Sequence, residues 1–479
     1  MEEEKVKKKA TRKKKTTGVK KTTTKKKATT KKKTTSKTSA KKTSTTKKAL
    51  VKKKIVKKID TEPLQVFNFK KKEEPLKVEV KEIKVVKKNN KKSKNNNYLY
   101  LILSILALIL LVFVYKSLYG SDKNKLKTNI GNIDLTYEEA TVENHRLSLV
   151  MVGDCLIHGA IYDDAKRVNN GKYDFHYLVE NYKDIISKYD LAFYNQESLL
   201  GGTELGLSSY PRFNSPKEVG DAFLDLGFNL VSLANNHTLD KGERGILSSI
   251  DYWKSQKGIM TAGSYSSFED RDKDVIMEKN GITYALLSYT TTTNGLPVPS
   301  GKEYLVNVYS DEKAKKDIER LRGKVDLLMV AMHWGEEYTH TPTIEQERIA
   351  KYLASLNVDI VIGHHPHVIQ PVDFIGKTMV IYSLGNFVAS QYGVEKLTGL
   401  VMSVEVNKKI ENGVSTITLT NPTAELSYVY SVKDSYRHSY KMYPYEMLND
   451  KLLKGYKEYY YRFMEIITRK YKNIFYKAI

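Results

Sequence analysis

A single cysteine, Cys155, stands in 479 residues. That scarcity excludes an intramolecular disulfide framework and a cysteine-rich zinc site, so any metal must be held by His, Asp, Glu or Asn. It leaves the redox compartment open. Acidic residues are nearly missing from the first fifth of the chain. Residues 1–97 hold 37 Lys and Arg against 9 Asp and Glu, about +28, while the whole chain is +25, so the remainder sums to about −3. The basic excess implies a nucleic-acid or anionic-surface partner for that segment alone and says nothing about the rest. Residues 1 to 60 also lack aromatics; this Lys/Thr tract, of which Lys31-Lys32-Lys33-Thr34-Thr35 is typical, is too polar and self-repelling to offset the entropy of ordering. Residues 1–97 are therefore expected to form a disordered tail.

Next comes a long apolar run. Residues 98–115 are apolar, aromatic or Ser104, with Tyr98 and Tyr115 at the edges. That is the length of a membrane-crossing helix with interfacial tyrosines. It starts too far from Met1 for a cleavable signal peptide, and an uncleaved anchor over 98–116 is expected. Lysines before the run far outnumber Lys116, Lys123, Lys125 and Lys127 after it. The positive-inside bias places the tail in the cytoplasm and the rest outside.

After a polar linker, 117–144, apolar runs alternate with amphipathic stretches. Strands are expected at 147–152, 191–194, 230–233, 284–287, 325–331, 358–362 and 379–382. Helices are expected near 174–188, 216–226, 242–257, 311–322 and 343–356. This alternation predicts an α/β domain over 145–405 with much of its sheet buried. Residues 406–479 are expected to complete or flank it, with a hairpin turning at Asn412-Gly413 and one or two amphipathic helices over 440–479.

Chemistry-bearing residues gather just after the strands, where the loops of an α/β domain share one crevice. Asp154 and His158 follow the first strand, Asn195-Gln196-Glu197 the second, and Asn235-Asn236-His237 with Asp240 the third. His333-Trp334-Gly335 and Gly363-His364-His365-Pro366-His367 follow two later ones. Seven of the ten histidines, counting His340, lie in or beside these loops. Singly, each has a bland alternative: a capping Asp, an Asn-Asn turn, a core histidine. Together, five strand ends delivering Asp, Glu, Asn or His to one sheet edge are what one or two divalent ions (Mn, Fe, Zn or Mg) require. Arg212 and Arg244 are read as loop residues that could hold an anionic substrate, and Tyr338 and His340 as further candidates for contact.

The order Gly153-Asp154, Asn195 to Glu197, Asn235-Asn236-His237 to Asp240, His333-Trp334-Gly335, Gly363 to His367 and Ser383-Leu384-Gly385-Asn386-Phe387 resembles the poly-gamma-glutamate capsule biosynthesis (CapA-like) family, itself similar to the calcineurin-like metallophosphoesterases. The resemblance spans about 145–405 and implies a four-layer, metallophosphatase-like α/β/β/α sandwich with a metal site at the strand ends. It implies metal ligation by Asp154, Glu197, Asn236, His333, His365 and His367, and an acid role for His237. His158, Asn195, Asp240, His364 and Arg212 are placed around substrate or behind the ligands, and Ser383 to Phe387 in the crevice wall. Two positions depart from the phosphoesterase pattern. The first motif there is Asp-x-His, whereas His158 lies four residues beyond Asp154. Glu197 stands where a bridging Asp is usual, one methylene longer, which leaves one ion or two open.

Three functional readings follow. The chain is a membrane-anchored, extracytoplasmic metal-dependent hydrolase or transferase acting on an anionic envelope polymer, poly-gamma-glutamate being suggested by the resemblance alone. Or it handles or anchors that polymer without turnover, beside other capsule-synthesis membrane proteins. Or the tail is itself a cytoplasmic arm for anionic lipid or nucleic acid. For the tail the expected outcome is specific. The full chain should bind anionic vesicles or nucleic acid at about 50 mM salt and release them by about 200 mM, and removal of residues 1–97 should abolish binding at both. Undiminished binding by the shortened chain would exclude the arm.

Overall fold

A computed structural model describes residues 141–434 and 437–479, together with Leu110, Val114 and the two-residue strands β1 (Asn129–Ile130) and β2 (Ile133–Asp134). The expected tail, the span apart from Leu110 and Val114, and most of the linker lie outside the described residues. Among the described residues no helix is long and apolar enough to cross a membrane.

The α/β expectation holds: the domain is built on two sheets. The first contains β3 (Val142–Leu156), β4 (Leu191–Gln196), β5 (Leu230–Ser232) and β6 (Met260–Ala262), all parallel. The second contains β7 (Met277–Lys279), β8 (Ile282–Thr290), β9 (Leu327–His333), β10 (Ile360–His364), β11 (Val372–Ile375) and β12 (Thr378–Ile381) in the order β11-β12-β10-β9-β8-β7. The four central strands of this sheet are parallel, and both edges are antiparallel. The chain then returns to the first sheet through β13 (Asn386–Ala389), β14 (Thr398–Glu411), β15 (Val414–Asp434) and β16 (Arg437–Pro444).

Side-chain alternation stacks the layers. Leu147, Leu149 and Met151 of β3 face Leu286, Met329 and Ile362 of the second sheet in one apolar cluster. Val150 and Val152 point the other way, onto Ile161, Ala165, Phe223 and Trp253 of flanking helical segments. On the far side of the second sheet, Leu328, Val330 and Val361 pack on Ile318, Leu321, Ile349 and Leu353. Strands covered on both faces read as unbroken apolar runs, which is why the seven expected strands were legible.

Other segments differ from expectation. Residues 174–188 form two helical turns, His176–Val179 and Lys183–Ile186, joined by a 3-10 turn that seats buried Tyr182 edge-on against Phe387. Residues 440–444 are strand rather than helix: Tyr440 and Met442 alternate inward as β16 pairs with β15. One α-helix of 440–479 remains, Tyr456–Ile467, burying Tyr460, Phe463, Met464 and Ile467. The expected hairpin turns at Asn412-Gly413, both at positive φ (53° and 79°). The boundary set at residue 405 falls inside β14, so the strands up to Pro444 are integral to the first sheet, and the helix after them packs on its core.

Three residues stitch the sheets together. Between β12 and β13 the strap Ser383-Leu384-Gly385 crosses from the second sheet to the first. Leu384 N–H donates to Gly363 O (3.1 Å) and Asp154 N–H to Gly385 O (2.9 Å). Both flanking strands carry glycine at the crossing. A Cβ on Gly153 would lie 1.8 Å from Gly385 O, and one on Gly363 2.0 Å from Tyr382 O. Gly153→Ala and Gly363→Ala should therefore each destabilise the domain by about 2 kcal/mol or more, read as a lower denaturant midpoint. Gly323→Ala, which meets open space, should shift it by less than about 0.5 kcal/mol. Equal midpoints for all three would discount the crossing as a constraint.

Candidate metal centre

The strand ends place the polar residues in register. Asp154 pairs with Asn195 of β4 and with Asn386 of β13, and His364 pairs with His333 across β10 and β9. A bulge in β3 between Met151 and Asp154 turns the Asp154 side chain into the seam between the sheets. Asn195 Nδ2 donates to Asp154 Oδ1 (2.8 Å), and His365 N–H to Asp154 Oδ2 (3.3 Å). Asp154, Glu197, His333, His365 and His367 are all buried.

Two sets of ligand atoms converge, each within a span of 4.8 Å: Glu197 with His333 and His365, and Asp154 with Glu197 and His367. Glu197 belongs to both. Its Oε1 is 3.6 Å from His333 Nε2 and 3.7 Å from His367 Nε2. His333 Nε2 also faces His365 Nδ1 at 3.1 Å and Asn236 Oδ1 at 3.0 Å. Both Glu197 oxygens are buried without a hydrogen-bond partner. Buried polar atoms are normally satisfied, so an orphaned carboxylate ringed by imidazoles is the arrangement a cation completes. The donor set, carboxylate and amide oxygen with imidazole nitrogen, suits a hard or borderline divalent ion.

Electrostatics fit that assignment. Burial holds His364 and His365 down at about 4, and burial with the surrounding imidazoles holds His333 well below its ordinary value, so these rings present lone pairs at neutral pH. Burial also pushes Glu197 well above the carboxyl range, against His367 and reinforced by Asp154. Burial opposes a charge on His367, yet Glu197 and Asp154 lift it to about 9. Asp154 sits below its ordinary value because its contacts with His367, His364 and Asn195 outweigh burial. His365 (φ 95°) and His367 (φ 57°) both adopt left-handed backbone, a local strain that the surrounding packing must hold.

The remaining candidates divide. His237 Nδ1 bonds Asp240 Oδ2 at 2.7 Å, and Phe213 N–H donates to the same oxygen at 2.5 Å. The Phe213 ring packs edge-on against His237 and His158 (centroids 4.7 and 5.2 Å). His158 lies outside both ligand sets, its Nδ1 3.0 Å from Leu156 O. His364 stacks on Phe193 with neither ring nitrogen bonded. Arg212 is exposed and makes no side-chain ion pair among the described residues. Arg244 sits on the Gly242–Ser255 helix, not in a loop as expected from sequence, and is exposed. His340 bonds Ile369 O (2.7 Å) and packs near Phe463, which ties the C-terminal helix to the domain. Two contributors were not placed beside the ligands from sequence. Asn386, read there as wall, accepts from His367 Nδ1 (2.9 Å) and so fixes that ring's tautomer and plane. Phe213 carried no signal at all.

Residues 148–391, about half of the chain, match the family described as bacterial capsule synthesis protein PGA_cap. The chain belongs to this family. Among PGA_cap relatives, the capsule biosynthesis protein CapA of Bacillus anthracis is 29% identical over 259 residues, 52% of this chain and 61% of that protein. The PGA biosynthesis protein CapA of Bacillus subtilis (strain 168) is 30% identical over 185 residues, 36% of this chain and 46% of that one. The matched region thus spans between 46% and 61% of the length of these relatives. A solved putative 5'-nucleotidase from Staphylococcus aureus, in complex with alpha-ketoglutarate, aligns at a TM-score of 0.39 and 15% identity over 58% of this chain and 54% of that one. A hypothetical protein from Thermus thermophilus aligns at 0.35 and 15% over 57% and 98%. Scores this low carry no weight for fold or activity.

The histidines set a pH response in metal-free protein. For His158, His364 and His365, each about 4 folded against 6.5 unfolded, the unfolded chain takes up protons first, so their contribution is full above 6.5 and is lost as pH falls toward 4. His367 has the opposite sign: its contribution is full below 6.5 and is lost as pH rises through about 9. Thermal midpoints in chelator should fall on the acid side, and His364→Phe should flatten that fall. A midpoint independent of pH between 4.5 and 6.5 would contradict this account.

Proposed function

We propose that this PGA_cap chain is a membrane-anchored, extracytoplasmic, metal-dependent hydrolase or transferase of metallophosphatase type acting on an anionic envelope polymer during capsule synthesis. The observation that carries the reading is the buried, unpartnered Glu197 carboxylate shared by two ligand sets. The names of the Bacillus relatives supply the capsule context and point to poly-gamma-glutamate. The apolar run at 98–115 and the lysines before it support the anchor and its orientation.

In this reading Asp154, Glu197 and His367 would hold one divalent ion, and Glu197, His333 and His365, with Asn236 close by, would hold a second. When bound, such ions supply Lewis acidity and an activated water. The chain provides the rest. The Asp240 carboxylate accepts from His237 Nδ1–H and steadies the imidazolium form of the ring, whose Nε2–H gives its proton to a departing group and leaves the neutral Nδ1–H tautomer behind. The Phe213 N–H holds Asp240 in place, and its ring fixes the plane of His237. Asn195 orients Asp154 and Asn386 orients His367, so both ligands meet the ion without rearranging.

Elemental analysis of the detergent-solubilised full chain, paired with a generic phosphodiester assay, tests this. The expected result is two equivalents of divalent metal, with about one lost in His365→Ala and both weakened in Glu197→Ala. His237→Ala should keep its metal while turnover falls by about a hundredfold or more. Normal metal content in both Asp154→Ala and His365→Ala would reject the site. Metal without turnover on any diester or amide polymer would assign the chain to polymer handling instead.

A further inference from the structure

Beside the candidate metal centre lies a second constellation that the chemistry above leaves unused. Tyr338 is 52% exposed, yet it is not loosely held. Its backbone is left-handed (φ 65°), and its N–H donates to Pro366 O at 2.7 Å, between the two ligand histidines. The loop around it is pinned by Gln370 Nε2, which donates to Thr339 O (2.9 Å), and by the His340 contact with Ile369 O (2.7 Å). The Tyr338 ring stacks over His367 (centroids 6.1 Å apart, planes 29° apart). Lys396 Nζ lies 4.5 Å from the centroid of the same ring. The backbone of Lys396 is tied to the centre as well: its carbonyl accepts from Asn386 Nδ2 (2.8 Å), the residue that orients His367.

Lys396 is half-buried, and among the described residues its ammonium pairs with no carboxylate. The neighbouring Glu395 is taken by Arg462. A rigidly held, half-exposed aromatic ring with an ammonium over it whose N–H donors meet no carboxylate is a recognition device: the exposed part of the ring covers apolar methylenes, and the ammonium takes an anion. Strain kept at an exposed Tyr, where glycine would relieve it, indicates that the side chain is needed.

We propose that Tyr338 and Lys396 form a subsite for a carboxylate-bearing segment of a polymeric substrate next to the scissile bond, with Lys396 receiving the carboxylate and Tyr338 packing on the adjoining methylenes. This deepens the function proposed above and rests on it for the choice of polymer. Neither residue belongs to a ligand set, so the subsite can be tested apart from the metal.

The probe is a short gamma-linked glutamate oligomer titrated calorimetrically into the full chain, with metal content measured on the same samples. Saturable binding that weakens with salt is expected. Lys396→Met and Tyr338→Ala should each lower affinity by about tenfold with metal content unchanged, Tyr338→Phe should bind as the parent does, and the distant Lys472→Met should have no effect. Equal affinity in Lys396→Met overturns the subsite, as does failure of metal-replete protein to bind the oligomer. Lys396-dependent binding of inorganic phosphate that excludes the oligomer would overturn the carboxylate assignment. Absence of metal with Lys396-dependent oligomer binding would instead uphold the subsite and reject the metal reading.

Discussion

A carboxylate with no hydrogen-bond partner, sealed between two sheets, is the constraint around which this domain is organised. Moving a carboxylate out of water costs several kcal/mol unless opposite charge or donors replace the lost hydration. Glu197 has no such donor, only imidazoles at 3.6 and 3.7 Å. The surrounding residues answer that cost collectively. His367 is lifted to about 9 by Glu197 and Asp154, while His365 is held near 4 by burial and the neighbouring His367 charge. Burial pushes Glu197 itself well above the carboxyl range, so Glu197 and His367 share their proton as a pair. A cation at Glu197 would take over the same carboxylates.

The scaffold reaches this arrangement by bringing two sheets together where neither would close alone. Asp154 and Glu197 come from the first sheet, and His333, His365 and His367 from the second. The strap at Ser383-Leu384-Gly385 bonds to both, and Gly153 and Gly363 make room for it. The apolar cluster between the sheets ends at this polar seam, so packing below and hydrogen bonds above act on the same strands. The C-terminal strands extend the first sheet beyond β3, and the last helix packs against the same core, which makes residues 406–479 part of the frame that holds the ligands.

In the proposed function, substrate recognition and metal binding fall on different structural parts. Ligands stand on strand ends or immediately after them, where the sheet fixes their positions. Tyr338 stands on a turn and Lys396 on the short helix Val394–Leu397, tied to the centre through the Pro366 carbonyl, the Asn386 amide and the stacking of Tyr338 on His367. Such a division lets a family keep one centre while the rim changes with the substrate.

Much of this was legible in the chain itself. Short unbroken apolar runs marked the seven buried strands because strands covered on both faces must be apolar throughout, and the Asp, Asn, Glu and His residues stood out because they followed those runs. The charge asymmetry located the tail, and the single cysteine narrowed the ligand chemistry to His, Asp, Glu and Asn. Other features had no sequence signature. Tyr440-Lys441-Met442-Tyr443 suits an amphipathic helix or a strand, and only pairing with β15 decided it. The contacts that Asn386 and Phe213 make are with residues far from them in sequence. The sequence alone determined which side chains could ligate and roughly where each strand would deliver them, because residue type and hydrophobic period are local properties. That Glu197 is shared by two ligand sets, and that Tyr338 and Lys396 meet over His367, was decided by the packing of two sheets and the strap between them. Convergence in space depends on contacts that no local pattern encodes.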